Sequence, residues 1–266
     1  MKFRDYVSQL LLKRGLSLFK MTEIEKLENF IAKNRPRSVG KPLIRVGGSS
    51  DGGYLIPDDL EGITTCFSPG VEQVSDLENS LAQQYGIQSF MADYSVDGPA
   101  LENDKFHFTK KFLGTQNNEK YMRLEDWVTA NAPAGDNDML LQMDIENSEY
   151  PVIIDTPSHI LDRFRIILVE FHSMESLFDR GAFPLFEAIF DKLGSNFTVA
   201  HIHPNNWEPI WEHGSIGIPS VMEFTFLRND RVNLDGLPLT FPHELDVINN
   251  KSKPPRHLPK CWWANS

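Results

Sequence analysis

Met139-Leu140-Leu141-Gln142-Met143-Asp144-Ile145-Glu146-Asn147-Ser148-Glu149 is the stretch on which the reading of the fold turns. It opens with the short apolar run of a buried strand. Asp144, Glu146 and Glu149 then follow within six residues. Unpaired carboxylates are costly to bury, so acids placed directly after a strand need either water or a task. In open α/β sheets, ligands sit outside the carboxyl ends of the strands, where Asp144 falls. A strand end with solvated acids leading into a helix accounts for the same letters. Two more apolar runs shift the balance. Residues 166–169 run into Glu170-Phe171-His172, and 197–200 run into His201-Ile202-His203-Pro204-Asn205-Asn206. Three strands that end in acid/base or metal-ligand side chains point to one shared site.

The chain has 266 residues, 41% hydrophobic and 24% charged, the make-up of one generous soluble domain or a domain with an arm. Its formal net charge of -11 argues against nucleic acid as the main partner, because phosphate binding needs a basic footprint. Cys66 and Cys261 are too few for a disulfide framework and too far apart for a zinc knuckle, so a reducing cytoplasm is expected. The opening MKFRDYVSQLLLKRGLSLFK has its apolar run broken by Lys13 and Arg14, so neither a signal peptide nor a membrane span is expected.

Phe3, Val7, Leu10, Leu11, Ile24, Leu27, Phe30 and Ile31 recur at helical spacing and predict two helices. Thr22, with Glu25 three residues on, has the form of a capping box. These helices read as an arm, residues 1–42, packed on the domain or on a second copy of the chain. Lys2, Arg4, Lys13, Arg14 and Lys20 make peripheral membrane contact the alternative. Four glycines around Asp51, in Gly47-Gly48-Ser49-Ser50-Asp51-Gly52-Gly53-Tyr54, fit a hairpin turn or close approach to a ligand. Taken alone, they read as a turn.

Residues 63–67 predict a strand, Ser68-Pro69-Gly70-Val71-Glu72 a turn, and 75–85 a helix. Strand, glycine turn and helix open a doubly wound sheet, and such a turn can receive an anionic or carboxylate group. The next strand, 88–92, ends in Asp93, which lies 23 residues beyond Gly70. An acid about 20 residues downstream, at that strand tip, is where a ribose hydroxyl is bound. Further strands are predicted at 106–112, 139–143, 166–169, 197–200 and 220–227, and helices at 124–128, 150–154 and 183–193. Residues 132–138 read as a polar loop, and Trp207 and Trp211 fall in a long one. The tail, with Pro238, Pro242, Pro254, Pro255 and Pro259, reads as ordered coil wrapped on the domain.

Seven strands, with helices between most of them and a last pair lacking a crossover helix, resemble class I methyltransferases. Asp144-Ile145-Glu146-Asn147-Ser148-Glu149 is similar to the core motif of FkbM-type S-adenosyl-L-methionine (SAM) dependent methyltransferases, in which Asp, Val or Ile, Glu, Gly and a further Glu occur in that order. Leu124-Glu125-Asp126 and Val169-Glu170-Phe171-His172 resemble that family's flanking motifs. Asp51-Gly52-Gly53-Tyr54, the 201–206 segment and the tail ending in Trp262-Trp263 resemble its sugar- and capsule-modifying branch. The resemblance covers residues 43–266 and departs twice. Ser68-Pro69-Gly70-Val71-Glu72 replaces the family's Asp-x-Gly-x-x-x-Gly turn, and Asn147 stands where Gly is common. Asparagine tolerates left-handed backbone angles, so that turn can survive.

The resemblance implies an α/β, Rossmann-like class I methyltransferase sheet of seven strands, the last antiparallel, behind an N-terminal helical arm. It implies SAM as cofactor and methyl transfer to a hydroxyl of a sugar or glycan in polysaccharide biosynthesis. Asp93 would take the ribose, Gly70 and Glu72 the methionine portion, with Asp51 and Tyr54 closing over that end and Asp144 beside it. The acceptor alcohol must be held at attack distance and lose a proton. Asp144, Glu146, His172 and His203 are the acid/base candidates. A divalent metal (Mg²⁺, Mn²⁺ or Zn²⁺) on Asp144, Glu170, His201 and His203 is the alternative aid. If the last strand inserts between the fifth and sixth, however, the histidines fall at the sheet edge, out of reach of Asp144. Trp207 and Trp211 either pack their loop or offer a sugar-stacking surface. Two other functions fit parts of the pattern. A metal-dependent hydrolase would use the same acids and histidines but leaves Gly70 and Asp93 unexplained. A SAM-binding assembly protein would need no catalysis.

Overall fold

Alternation along the apolar runs sends successive side chains to opposite faces, and this builds the central sheet. The computed structural model describes residues 3–264 except 134, 136, 137 and 235–238, with side chains from residue 7 onward. Lys2, the side chains of Phe3 and Arg4, part of the 132–138 loop, and Pro238 lie outside the described residues.

In chain order, α1 (Phe3–Leu12) and α2 (Ile24–Lys33) lead to a hairpin of β1 (Leu43–Gly47) and β2 (Gly53–Pro57). Next come β3 (Thr65–Pro69), α3 (Asp76–Ser80) with a π-helical turn Leu81–Tyr85, β4 (Gln88–Ala92) and β5 (Phe106–Thr109). A small ribbon of β6 (Phe112–Gly114) and β7 (Tyr121–Arg123) precedes α4 (Leu124–Asn131) and β8 (Met139–Met143). Then follow α5 (Glu149–Asp155), α6 (Ser158–Leu161), β9 (Phe164–Phe171), α7 (Phe183–Gly194) and β10 (Phe197–Pro204). A hairpin of β11 (Ile210–His213) and β12 (Ile216–Pro219) leads to β13 (Met222–Arg228).

Seven strands form one sheet in the order β10-β13-β9-β8-β3-β4-β5. Numbered along the chain within the sheet, this is 6-7-5-4-1-2-3. Every pairing is parallel except those of β13, which runs antiparallel between β9 and β10. On one face, Met139, Leu141, Met143, Ile167, Val169 and Phe171 join the main core with residues of α2, α5 and α7. On the other, Leu140, Ile166, Leu168 and Leu227 pack under Ile56 of β2 and Leu77 of α3. Thr225 Oγ donates to the Leu55 carbonyl at 2.7 Å and fixes the β1–β2 hairpin over this second face.

Several expectations change. Leu27, Phe30 and Ile31 are buried in the main core, where Phe30 meets Phe183 and Phe190 edge-on. α2 therefore packs on the domain, one of the two placements expected for the arm, while Leu10, Leu12, Leu16, Leu18 and Phe19 are exposed. Thr22 does not cap α2. Its hydroxyl donates to the Leu177 carbonyl at 2.7 Å, and Glu23 takes the N-cap position. The 106–112 run divides, because Lys111 N–H turns back to the Thr109 carbonyl and Phe112 starts the separate ribbon. Trp207 and Trp211 are about half exposed and pack no core; Trp127 and Trp262 are the buried ones, and Trp262 Nε1–H donates to the Gly217 carbonyl at 2.9 Å.

Asp59 ties the segment after β13 to the start of the sheet. It accepts from Arg231 Nε at 2.8 Å and Nη2 at 2.7 Å, and from Lys41 Nζ at 3.0 Å. Burial raises its pKa, but these cations outweigh burial and hold the carboxyl below the usual range. A depressed carboxyl stabilises the fold fully above its unfolded value, about 3.9, and loses that contribution as pH falls. Asp59→Asn should cost about 1–2 kcal/mol at pH 7, after discounting Arg231's exposure. In urea unfolding, the difference from wild type should shrink below about pH 4. A difference that stays constant down to pH 3 would refute the assignment.

Candidate active site

The polar residues of the second face lie in a row dictated by strand register. His203 pairs with Glu223, and Glu223 with Glu170. Val169 pairs with Met143, which places Asp144 next to Glu170. One row toward the core, Ser68 Oγ donates to Gln142 Oε1 at 2.7 Å, and Gln142 Nε2 donates to Tyr54 Oη at 3.2 Å. Ser68 Oγ also lies in hydrogen-bond contact with the Glu78 carboxyl, whose pKa burial raises. The sheet thus turns from apolar to ionisable at its carboxyl end.

A cavity of about 410 Å³ opens over this row, lined by Asp51, Tyr54, Gly70, Glu72, Asp144, Glu146, Glu170, His172, Asn205 and Trp207 among others. An adjoining cavity of about 320 Å³ shares Gly70, Glu72, Asp144 and Glu146 and continues past Asp93, Ser95, Phe112, Leu113 and Tyr121. Gly70, φ +84°, stands where they meet. A Cβ there would fall 1.5 Å from the Asp144 carbonyl oxygen, so only glycine lets β3 and β8 end this close together. Four non-glycine described residues have positive φ: Glu72 (39°), Glu146 (53°), Asn147 (73°) and Ser173 (54°). All four line the cavities or adjoin a residue that does, and Ser173 Oγ donates to Asn147 Oδ1 at 2.6 Å. Backbone held in sparsely populated conformations concentrates at functional sites.

His172 is the centre of the acid cluster. Its Nδ1 lies 3.1 Å from Oε1 of the fully buried Glu149, which also accepts from Ile145 N–H at 3.1 Å. Its Nε2 faces Glu146 at 3.5 Å and Asp144 and Glu170 at 3.9 Å each. Burial lowers the imidazole pKa, but the Glu149 hydrogen bond and surrounding carboxylates raise it to about 9. For Asp144, burial and neighbouring acids outweigh His172 and raise the carboxyl to about 8. Burial, with Asp144, Glu223 and Asp51 nearby, drives Glu170 well above the usual range.

Asp93 lines the second cavity but is more embedded than a strand-tip acid need be. It is 3% exposed and accepts from Glu72 N–H at 3.0 Å and from Ser95 N–H and Oγ–H at 2.7 Å each. It therefore also splints the Gly70–Glu72 turn, and a truncation there would disturb the turn as well as the cavity. Asp51 sits in the β1–β2 loop and reaches the row through Asn249, whose amide donates to Asp51 Oδ1 at 3.3 Å.

The quartet Asp144, Glu170, His201 and His203 does not assemble. β13 stands between β9 and β10, so the histidines lie two strands from Glu170 and outside its metal-ligand reach. β10 also continues through Pro204, with a bulge between Val199 and His201, so both rings are on the strand rather than beyond it. His201 Nε2 lies 2.9 Å and His203 Nδ1 3.4 Å from Asp246 of the tail, and His203 Nε2 is 3.2 Å from Asn249 Oδ1. Burial lowers the His201 pKa, whereas Asp246 and Glu223 overcome burial to raise that of His203. The pair thus clamps the tail and does not touch the cavity. Glu223, Gln142 and Asn249 belong to the site yet were not expected there, and Glu149 and Asn205, which fall in the strand-end segments, were given no role of their own. A carboxylate inside the otherwise apolar Val221-Met222-Glu223-Phe224 run is the one signal that marks Glu223 in advance.

Compared with known proteins, the chain matches no protein-family model and no curated protein.

Proposed function

We propose that the protein is a SAM-dependent O-methyltransferase acting on a hydroxyl of a sugar or glycan. The observation that carries this reading is the two-lobed cavity meeting at Gly70, with Asp93 at the tip of β4 on one side and Asp144 on the other. The strand order, with an antiparallel strand inserted next to the sheet edge, is that of class I methyltransferases and supports it. The choice of a sugar hydroxyl rests on the FkbM-like motifs.

The lining fits the cofactor's chemistry. Eight residues of the larger lobe are acids and none is lysine or arginine, which suits a sulfonium and an ammonium. The smaller lobe offers the rings of Phe112 and Tyr121 and the Leu113 side chain as apolar walls for a base, with Asp93 at their edge. Bound there, SAM supplies an electrophilic methyl group that leaves a neutral thioether behind. The chain's own residues do the remainder. Asp144, with Oδ1 buried and without a hydrogen-bond partner, is placed to take the acceptor's hydroxyl proton. Glu149 fixes the His172 ring from behind, so that Nε2 points at Asp144 and Glu146 and balances their charge. Trp207, about half exposed at the mouth, offers a flat face for a sugar ring.

Asp93→Asn keeps the side-chain volume but removes the charge that would face the ribose. SAM affinity should fall about 10- to 100-fold, the value of a charged hydrogen bond. Calorimetry on wild type and variant checks this, with circular dichroism to confirm the fold. Unchanged affinity would contradict the ribose assignment.

A further inference from the structure

The acid row holds a second cluster that the proton transfer at Asp144 does not use. Single carboxylate oxygens of Asp51, Glu170 and Glu223 lie within 4.8 Å of one another. Oxygens within that limit can share the shell of a hard divalent cation, whose metal–oxygen distances are about 2.1–2.6 Å. Acids crowded together prove nothing alone, but Glu170 adds an independent fact. It is 4% exposed, and its Oε2 is buried with no hydrogen-bond partner. A lone buried carboxylate oxygen is strongly disfavoured unless something positive meets it.

Side-chain amides hold the cluster from outside. Asn205 donates to Glu170 Oε1 at 2.9 Å, and Asn249 donates to Glu223 Oε1 at 2.6 Å and to Asp51 Oδ1 at 3.3 Å. Each acid thus has one oxygen pinned, as supporting partners do for metal ligands, and Glu170 Oε2 is left without a partner. The nearby cationic groups are committed elsewhere. Arg45 donates through Nε to the Gly48 carbonyl and through Nη2 to the Ser50 carbonyl, at 2.9 Å each. His203 is engaged by Asp246 and Asn249. His172 Nε2 lies 3.9 Å from Glu170 Oε1, the oxygen that Asn205 holds, and leaves Oε2 without a partner.

We infer that Asp51, Glu170 and Glu223 form an all-oxygen seat for one divalent cation, of the Mg²⁺, Mn²⁺ or Ca²⁺ class, closed from the tail by Asn249. Three carboxylates without imidazole or thiolate disfavour Zn²⁺ and Cu²⁺. The seat spans the hairpin, the sheet and, through Asn249, the tail, so its filling links three parts of the chain. It rests on cavity geometry and not on methyl transfer, so it is tested without SAM.

The test is titration of the full chain with Mn²⁺, followed by the loss of the free-ion electron paramagnetic resonance signal, with Mg²⁺ and Ca²⁺ as competitors. One Mn²⁺ per chain is expected. Glu223→Gln and Asp51→Asn should each weaken binding at least about 100-fold, and Asn249→Ala about 10-fold. Asp144→Asn should leave it nearly unchanged. Without metal, Glu223→Gln should melt no lower than wild type, because it relieves like-charge crowding, yet lose the Mn²⁺-dependent rise in melting temperature. Asp51→Asn, in the half-buried β1–β2 loop, serves if Glu223→Gln does not fold. Loss of binding in Asp144→Asn but not in Glu223→Gln would move the cation to the His172 corner and overturn the seat. No binding at millimolar Mn²⁺ would also overturn it, and stabilisation by glucosamine alone would assign the acids to an ammonium instead.

Discussion

Asp144→Asn should lower kcat for methyl transfer about 100- to 10,000-fold, the range for removal of a positioned general base. S-adenosylhomocysteine affinity should stay close to wild type. The asparagine fills the same space at the end of β8. What it cannot do is take a proton from an acceptor hydroxyl. His172 does not substitute, because Nδ1 is spent on Glu149 and Nε2 is surrounded by carboxylates that keep it protonated. Single-turnover rates with saturating cofactor separate chemistry from binding. A variant that turns over at the wild-type rate would remove Asp144 from proton transfer, and a variant that loses S-adenosylhomocysteine would make it a binding residue.

Gly70→Ala should be the most damaging single change in the chain, at more than about 4 kcal/mol of unfolding free energy. Two costs add at one atom. The left-handed backbone, φ +84°, costs a non-glycine residue about 1–2 kcal/mol. The new methyl group would also sit 1.5 Å from the Asp144 carbonyl oxygen, so β3 and β8 would have to part at the point where the two cavities join. Gly86→Ala is the control. Gly86 has φ +70° and nothing within 4 Å of its Cβ position, so only the backbone cost of about 1–2 kcal/mol applies. Urea unfolding of the two variants side by side measures the difference. Equal losses would mean that the strand ends tolerate separation.

The strands that build the sheet are legible in the sequence because strands buried on both faces read as continuous apolar runs. Asp144, Glu170 and His172 are legible for a related reason, as each follows such a run directly. Glu223 is hidden because it lies inside its strand, where it reads as one polar letter in a stretch of high β-propensity. Its role depends on β13 pairing with β9, a register set by tertiary contacts rather than local pattern. The histidines of β10 mislead for the opposite reason. Where a strand packs against a polar tail its buried letters are no longer apolar, so the end of the apolar run at Ala200 looks like the end of the strand. Asp246 and Asn249 come from a tail without regular structure, and no periodicity predicts where such a segment lands. Glu149 stands in the opening motif itself. Its burial beneath His172 follows from the sharp turn through Glu146 and Asn147, both in left-handed conformations that the letters alone do not reveal.

The central claim is that the joined cavities hold SAM, with its methyl group beside Asp144. Calorimetric titration of the purified full chain with S-adenosylhomocysteine tests it most directly. One site per chain, with an affinity that falls in Asp93→Asn and persists in Asp144→Asn, is the expected result. No heat of binding at millimolar S-adenosylhomocysteine, from protein shown to be folded, would contradict it.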